Sequence, residues 1–230
     1  MAFVYRLNGK PLEQRVEMFG WQPFAKHAQT RAYGPGETLF LQGDENRGVF
    51  CIRSGFVGLR RSDEQGNSGL VRLCKPGDMV GYPAFLGRKA HPNTAEVLTR
   101  SIICFLEASH LRWMLKHDPD LMESFVQQAL SDLNRTEANC AALLTSGLRC
   151  RLFHLLLMLY ESHGRSLNEG GYSIELPVQR KDLAALLGAT PESISRLINR
   201  LAREGFVHFT ARHVLVSDLD RLAAEVPSFS

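Results

Sequence analysis

The 230-residue sequence has no C-x-x-C pair, and its five cysteines, Cys51, Cys74, Cys104, Cys140 and Cys150, are odd in number and scattered. That argues against a disulfide framework and for a reducing, cytoplasmic setting. No apolar run approaches the roughly 20 residues that cross a bilayer. The longest, LFHLLLMLY from Leu152 to Tyr160, reads as a buried helix. The opening stretch, MAFVYRLNGKPLEQRVEMFG, lacks an apolar segment followed by a small-residue cleavage site, so no secretory signal is expected. The eight histidines contain no H-x-H pair and no nucleophile–base motif is present, so neither a metal site nor catalysis is expected. An excess of charge of one sign is missing too: the formal net charge is only +3. A nucleic-acid surface would have to come from local clustering rather than a global field.

What is present divides the chain by texture. From about Thr30 to Leu106, short β-rich runs are cut by glycines: TLFLQG, GVFCIRSG, FVGLRR, GLVRLCKPG and SIICFL. Frequent short strands between turn signals predict a β-sandwich or barrel. Glycine then disappears between Gly87 and Gly147, and helix formers dominate. Within that stretch Met122, Val126, Ala129, Leu133, Thr136, Cys140 and Leu143 step alternately by four and three. This is the seam of a coiled coil. Such a seam serves either a helix covering the β domain or, as the sharper expectation, a parallel helix pair across a dimer axis. A second helix follows, then the polar loop SLNEGGYSIELPV, with a domain boundary near Thr145 and Ser146.

The last segment carries the most chemistry. DLAALLGATPESISRLINRLAREG, from Asp182 to Gly205, fits two helices joined at Gly188. Ala184 permits their close crossing. Leu183 and Leu187 face inward from the first helix, Ile194 and Leu197 from the second. Thr190 is placed to cap the second helix and Pro191 to open it. Its outer face carries Glu192, Ser195, Arg196, Asn199, Arg200 and Arg203. In a major groove Arg pairs with guanine, Glu accepts from cytosine, and Ser serves either. From Arg180 to His213, six Lys/Arg (180, 181, 196, 200, 203, 212) face three acids (182, 192, 204), a local +3 that equals the net charge of the whole chain. A hairpin, FVHFTARHVLVSD, follows and turns near Ala211 and Arg212. Together these features predict a winged DNA-reading module.

PESISRL, preceded by RKDLAALLG and by the glycine-punctuated GETLFLQGD, IRSG and KPGDMVG, resembles the superfamily of the cyclic-AMP receptor protein and the fumarate–nitrate reduction regulator (CRP/FNR). The likeness runs from about Arg31 to Leu222. It implies an α+β chain: a β-roll sensor over residues 1–107, a dimerisation helix over 108–145 and a winged helix-turn-helix over 146–230. It also implies a homodimer, with double-stranded DNA and RNA polymerase as partners and no membrane. E-S-I-S-R is similar to the FNR branch, which implies a TTGAT-N4-ATCAA site read by Glu192, Ser195 and Arg196. Arg180 then falls against the DNA backbone, and Thr190, Arg200 and Arg212 join the interface.

The sensor departs from the pattern of its resembled family. Cyclic-AMP binders carry Gly-Glu and then Arg-Ser or Arg-Thr; here Gly81-Tyr82 and Asn93-Thr94 stand instead. An anionic nucleotide would lack its cation unless Arg88 supplied one, so cyclic AMP is not expected. No cysteine precedes Cys51, so the four-thiolate iron–sulfur set is incomplete and Cys104 reads as a buried strand residue. Haem remains an alternative, with His91, Cys74 or Cys51 as axial ligand, although His91 beside Pro92 reads as a solvated surface residue. A thiol switch at Cys74 or Cys104, a gas or small-molecule effector, and a constitutive activator with a vestigial sensor also stay open. A cupin-like metal enzyme is the remote rival.

Overall fold

The computed structural model describes residues 27–167, 170–205, 207–210 and 212–226. The predicted turning residue Ala211 lies outside them. The described residues form two compact units, one running to Asn134 and the other beginning at Arg135.

The first unit is built from two antiparallel four-stranded sheets. One has the order β1-β8-β3-β6, from Gln29–Tyr33, Ser101–Glu107, Gly48–Ser54 and Met79–Val80. The other has the order β2-β7-β4-β5, from Thr38–Phe40, Thr94–Val97, Val57–Ser62 and Ser68–Cys74. Alternation along β3 explains the layering. Ile52 joins Val57, Cys74, Ala95 and Ile103 in one core cluster, with Phe50 packed against it. Val49 and Cys51 join Cys104, Leu106 and the helical residues Leu111, Met114 and Phe125 in another. Both faces of β3 are thus covered, which is why GVFCIRSG is nearly continuous in apolar residues. The sequence reading did not include β1, β7 or a short helix, α1 (Tyr82–Gly87).

The glycine-free stretch is two helices, α2 (Ala108–His117) and α3 (Pro119–Thr145). The break follows from Asp118: its backbone is extended, its carboxylate accepts from the Leu121 N–H at 3.0 Å, and Pro119 suits the first turn. Leu121, Phe125 and Asp132 of α3 are buried, while Met122, Val126, Leu130 and Leu133 are exposed. Ala129 is half-buried, and Thr136, Cys140 and Leu143 are exposed. The predicted seam residues are therefore not the ones that cover the β domain. A different stripe of α3, roughly a quarter-turn away at 100° per residue, does that. The division between the two units falls inside α3, after Asn134.

The second unit packs around α4 (Leu148–His163), whose Leu152, Phe153, Leu156 and Leu159 are fully buried. Beside it lies the sheet β11-β12-β10-β9, from Val207–Phe209, His213–Val216, Tyr172–Glu175 and Arg165–Ser166. Helices α5 (Arg180–Leu186), α6 (Pro191–Arg203) and α7 (Leu219–Ala224) complete it. No helix among the described residues is long and apolar enough to cross a membrane.

Candidate DNA-reading helix and sensor cluster

Helix α6 is placed by its own sequence. The Thr190 hydroxyl accepts from the Ser193 N–H at 3.2 Å, satisfying a donor that has no partner within the helix. Pro191 opens the first turn. Ile194, Leu197, Ile198 and Leu201 are buried, and they pack beside Leu183, Ala184 and Leu187 of the preceding segment. Gly188 makes the turn with φ 57, and a Cβ there would sit 3.0 Å from the Leu143 side chain. A left-handed backbone and a close neighbour both call for glycine.

Burial of that stripe turns the polar face outward. Glu192, Arg196, Asn199, Arg200 and Arg203 are exposed, and Ser195 is half-buried. The Arg180 guanidinium donates to the Ser195 hydroxyl at 3.5 Å, which ties α5 to the middle of α6. The carboxyl of Glu192 is held below its usual range, first by its own backbone N–H, then by the Thr190 hydroxyl and Arg196. It is therefore an ionised acceptor at neutral pH. The far end of α6 is fixed by Arg149, which pairs with Glu204 at 2.6 Å and with Glu225 at 2.5 Å. The hairpin β11–β12 is closed by Thr210, whose hydroxyl accepts from the His213 N–H at 3.0 Å, and Arg212 is exposed at its tip.

Among the expected effector residues Gly81, Tyr82, Arg88, Asn93 and Thr94, the one cation is Arg88. Gly81 is left-handed with φ 88, with its Cβ position hemmed in by the Gly48 carbonyl and His91. Arg88 is exposed at the end of α1. The Thr94 hydroxyl accepts from the Gln42 N–H at 3.0 Å. Asn93 carries a buried carboxamide oxygen with no hydrogen-bond partner among the described residues. Tyr82, in place of glutamate, is half-buried, and its phenol pKa is pushed up by burial and then by the charge of Asp132.

The cluster that does form was not among the expected residues. Arg72 of β5 lies 2.9 Å from Asp132 of α3 and 3.8 Å from Asp78. Asp132 is only 2% exposed and Asp78 3%. One guanidinium thus faces two buried carboxylates. Two sequence signals point to it in hindsight. Arg72 is a charge within the apolar run GLVRLC, and Asp132 stands on the same helical stripe as Leu121 and Phe125.

His91 corrects an expectation. It is not solvated: it is 3% exposed, and its ring stacks on Phe40 with centroids 3.7 Å apart. It lines a cavity of about 460 Å³ together with Phe50, Phe105, Asp44, Glu45 and Arg47. Cys51, Cys74 and Cys104 are all buried, and none of them is in a disulfide. Cys51 lies directly opposite Cys104 in the β3–β8 ladder, and burial, then Cys104, raises its thiol pKa. A raised, buried thiol such as that of Cys51 is a poor nucleophile and a poor redox sensor.

A family model described as a cyclic nucleotide-binding domain matches residues 30–118, and one described as a Crp-like helix-turn-helix domain matches residues 150–225. The chain belongs to the CRP/FNR family of transcription regulators. A CRP-like cAMP-activated global transcriptional regulator of Mycobacterium tuberculosis is 26% identical over 211 residues, 91% of this chain and 93% of the relative. The fumarate and nitrate reduction regulatory protein of Salmonella typhimurium is 28% identical over 192 residues, 82% of this chain and 75% of the relative. Among solved structures, a CRP-family regulator of Thermus thermophilus matches with a TM-score of 0.74 and 26% identity, covering 87% of this chain and 98% of that one. FixK2 of Bradyrhizobium japonicum shares the fold, with a TM-score of 0.74 at 20% identity over 88% of this chain and 99% of that one. As a CRP/FNR regulator, the chain binds DNA and regulates transcription.

Proposed function

We propose that this CRP/FNR regulator is a cytoplasmic homodimer that reads a TTGAT-N4-ATCAA-like palindrome through α6, works with RNA polymerase, and responds to a signal other than cyclic AMP. The observation that carries the base-reading part is the outward row Glu192, Ser195, Arg196 on a capped helix whose opposite stripe is buried. Arg196 reads a guanine, Glu192 accepts from a cytosine amino group, Ser195 tunes a neighbouring base, and Arg180 meets a phosphate. The exposed apolar stripe Met122, Val126, Leu133 supports the dimer, because a second copy of α3 would take it out of water. Two α6 helices related by a two-fold axis would then enter successive major grooves about 34 Å apart. The reading against cyclic AMP rests on Tyr82 and Asn93, which offer a phosphate no cation, and on Arg72, whose charge Asp132 already meets.

The test compares Arg196→Ala with Arg180→Ala on half-sites with every base varied, at several salt concentrations. Arg196→Ala is expected to flatten preference at one symmetric position, a loss of roughly 1–3 kcal/mol against the best base. Arg180→Ala is expected to weaken all sequences alike and to make the salt dependence shallower by about one ion per contact. Uniform loss for Arg196→Ala, with base preferences intact, would remove the specificity assignment.

A further inference from the structure

Helix α3 is held to the roll unevenly. Its buried residues are Leu121, Phe125 and Asp132, so beyond Phe125 no apolar side chain of α3 is buried and the last anchor is a carboxylate. Asp132 is 2% exposed and lies 2.9 Å from the guanidinium of Arg72 on β5. The phenol of Tyr82, at the start of α1, meets both Asp132 and Arg72 through charge and through hydrogen bonds. A guanidinium only donates and an ionised carboxylate only accepts, so the phenol oxygen accepts from Arg72 and its O–H goes to Asp132. Three elements distant in sequence, β5, α1 and α3, thus close one polar ring.

Apolar burial does not explain an acid at this position. A buried ion pair adds little net stability over a packed apolar pair, because both ions lose their hydration. What it adds is selectivity of contact, since a buried Asp132 is tolerated only where a cation meets it. Arg72 is also fully met. Asp78, 3% exposed, lies 3.8 Å from it and accepts from the Lys75 N–H at 3.0 Å. One guanidinium then faces two carboxylates, so a further anion entering beside Asp132 would meet net negative charge. With the Asp132 side chain removed, a free carboxylate would only restore the original set.

We infer that Arg72 and Tyr82 form a carboxylate site whose resident ligand is the chain's own Asp132, and that this docking sets the azimuth at which α3 presents Val126 and Leu133. The site takes a small free monocarboxylate when Asp132 is withdrawn, and none while Asp132 is seated. Leu133, next in sequence and 52% exposed, carries the consequence outward, a step that rests on the dimer reading above.

The probe is acetate, compared with chloride at equal ionic strength. In Asp132→Ala the sensor transition should fall in chloride and recover saturably with acetate, by roughly 3–6 °C at about ten times the dissociation constant. The wild type should melt alike in both salts, and so should Arg72→Met plus Asp132→Ala, which lacks the cation. In sedimentation, the Asp132→Ala dimer should be weaker by about 5-fold or more in chloride and regain wild-type strength in acetate. If Asp132→Ala is unfolded in chloride, circular dichroism follows the same titration as folded fraction regained. An Asp132→Ala transition level with the wild type, no gain from acetate, or an equal gain in the wild type or the double variant would each overturn the inference. So would acetate that restores the transition while the dimer stays weak. A wild type that is monomeric in both salts would instead refute the dimer reading, and the thermal comparison would then decide the carboxylate site by itself.

Discussion

Removing Arg72 should destabilise the sensor unit more than removing either of its partners. At an effective dielectric constant of about 20, unit charges 2.9 Å apart attract by ~6 kcal/mol and charges 3.8 Å apart by ~4 kcal/mol. Each buried ion loses several kcal/mol of hydration in return, so the whole cluster is close to neutral for stability. The single variants are not neutral. Arg72→Met leaves Asp132 and Asp78 buried without their cation, and should cost about 3–5 kcal/mol at pH 7. Asp132→Leu leaves Arg72 with Asp78, so its cost should be smaller, about 2 kcal/mol. For a chain of this size each kcal/mol moves the melting temperature by roughly 2–4 °C. Calorimetry should place the sensor transition lowest in Arg72→Met and intermediate in Asp132→Leu. In Arg72→Met plus Asp132→Leu, the transition should recover much of the loss. The pH dependence adds a check with a fixed sign. In Arg72→Met the two carboxyls, having lost the guanidinium, should have folded pKa values above the unfolded value of about 3.9. Stability should therefore rise as pH falls through those raised values, narrowing the gap to the wild type. Losses below about 1 kcal/mol in both single variants would mean that the pair behaves as a solvated surface contact, and the reasoning would fail.

Other outcomes follow from single positions. Gly188→Ala forces a left-handed backbone on a residue with a Cβ, and should cost about 1–2 kcal/mol in thermal unfolding of the DNA-reading unit. Leu133→Glu should turn the α3 stripe into a repulsive surface. Sedimentation should then report monomers with weakened operator binding; an unchanged dimer would remove the stripe from the interface. His91 has a folded pKa below its ordinary 6.5, so the unfolded chain binds more protons. Sensor stability should be level above pH 6.5 and decline as pH drops from there toward the folded value, and His91→Phe should flatten that decline in a thermal-melt series.

Legibility differed between the two halves for a physical reason. The second half was readable because its positions answer to local rules: a threonine cap, a proline in the first turn, a glycine with positive φ and a four-residue apolar stripe. Each rule involves neighbours a few residues apart. The sensor half depends on partners far apart in sequence. Asp132 meets Arg72 across 60 positions (132 − 72), and nothing near either residue announces the other. The loop position of His91 and its neighbouring proline suggest exposure, yet the residue is buried. Its burial comes from Phe40, Gly81 and Asn46. Strand β7 leaves little trace in the sequence, because Thr-Ala-Glu-Val is four residues long and half polar.

Helix α3 is where local and distant constraints meet. A strict seven-residue apolar seam explains Met122, Val126, Ala129 and Leu133, but leaves Leu121, Phe125 and Asp132 without a role. The structure gives that second stripe to the β-roll: two apolar residues pack on the sheet side, and Asp132 engages Arg72. Asp132 and Leu133 are neighbours in sequence, so the two stripes share one rigid rod. Turning α3 enough to alter the packing of Leu133 also moves the Asp132 carboxylate, and a 2.9 Å ion pair tolerates little displacement. Whatever fixes Arg72 in the roll therefore also fixes the azimuth of the apolar stripe. That linkage needs no bound molecule, because one carboxylate of the chain itself holds the guanidinium in place.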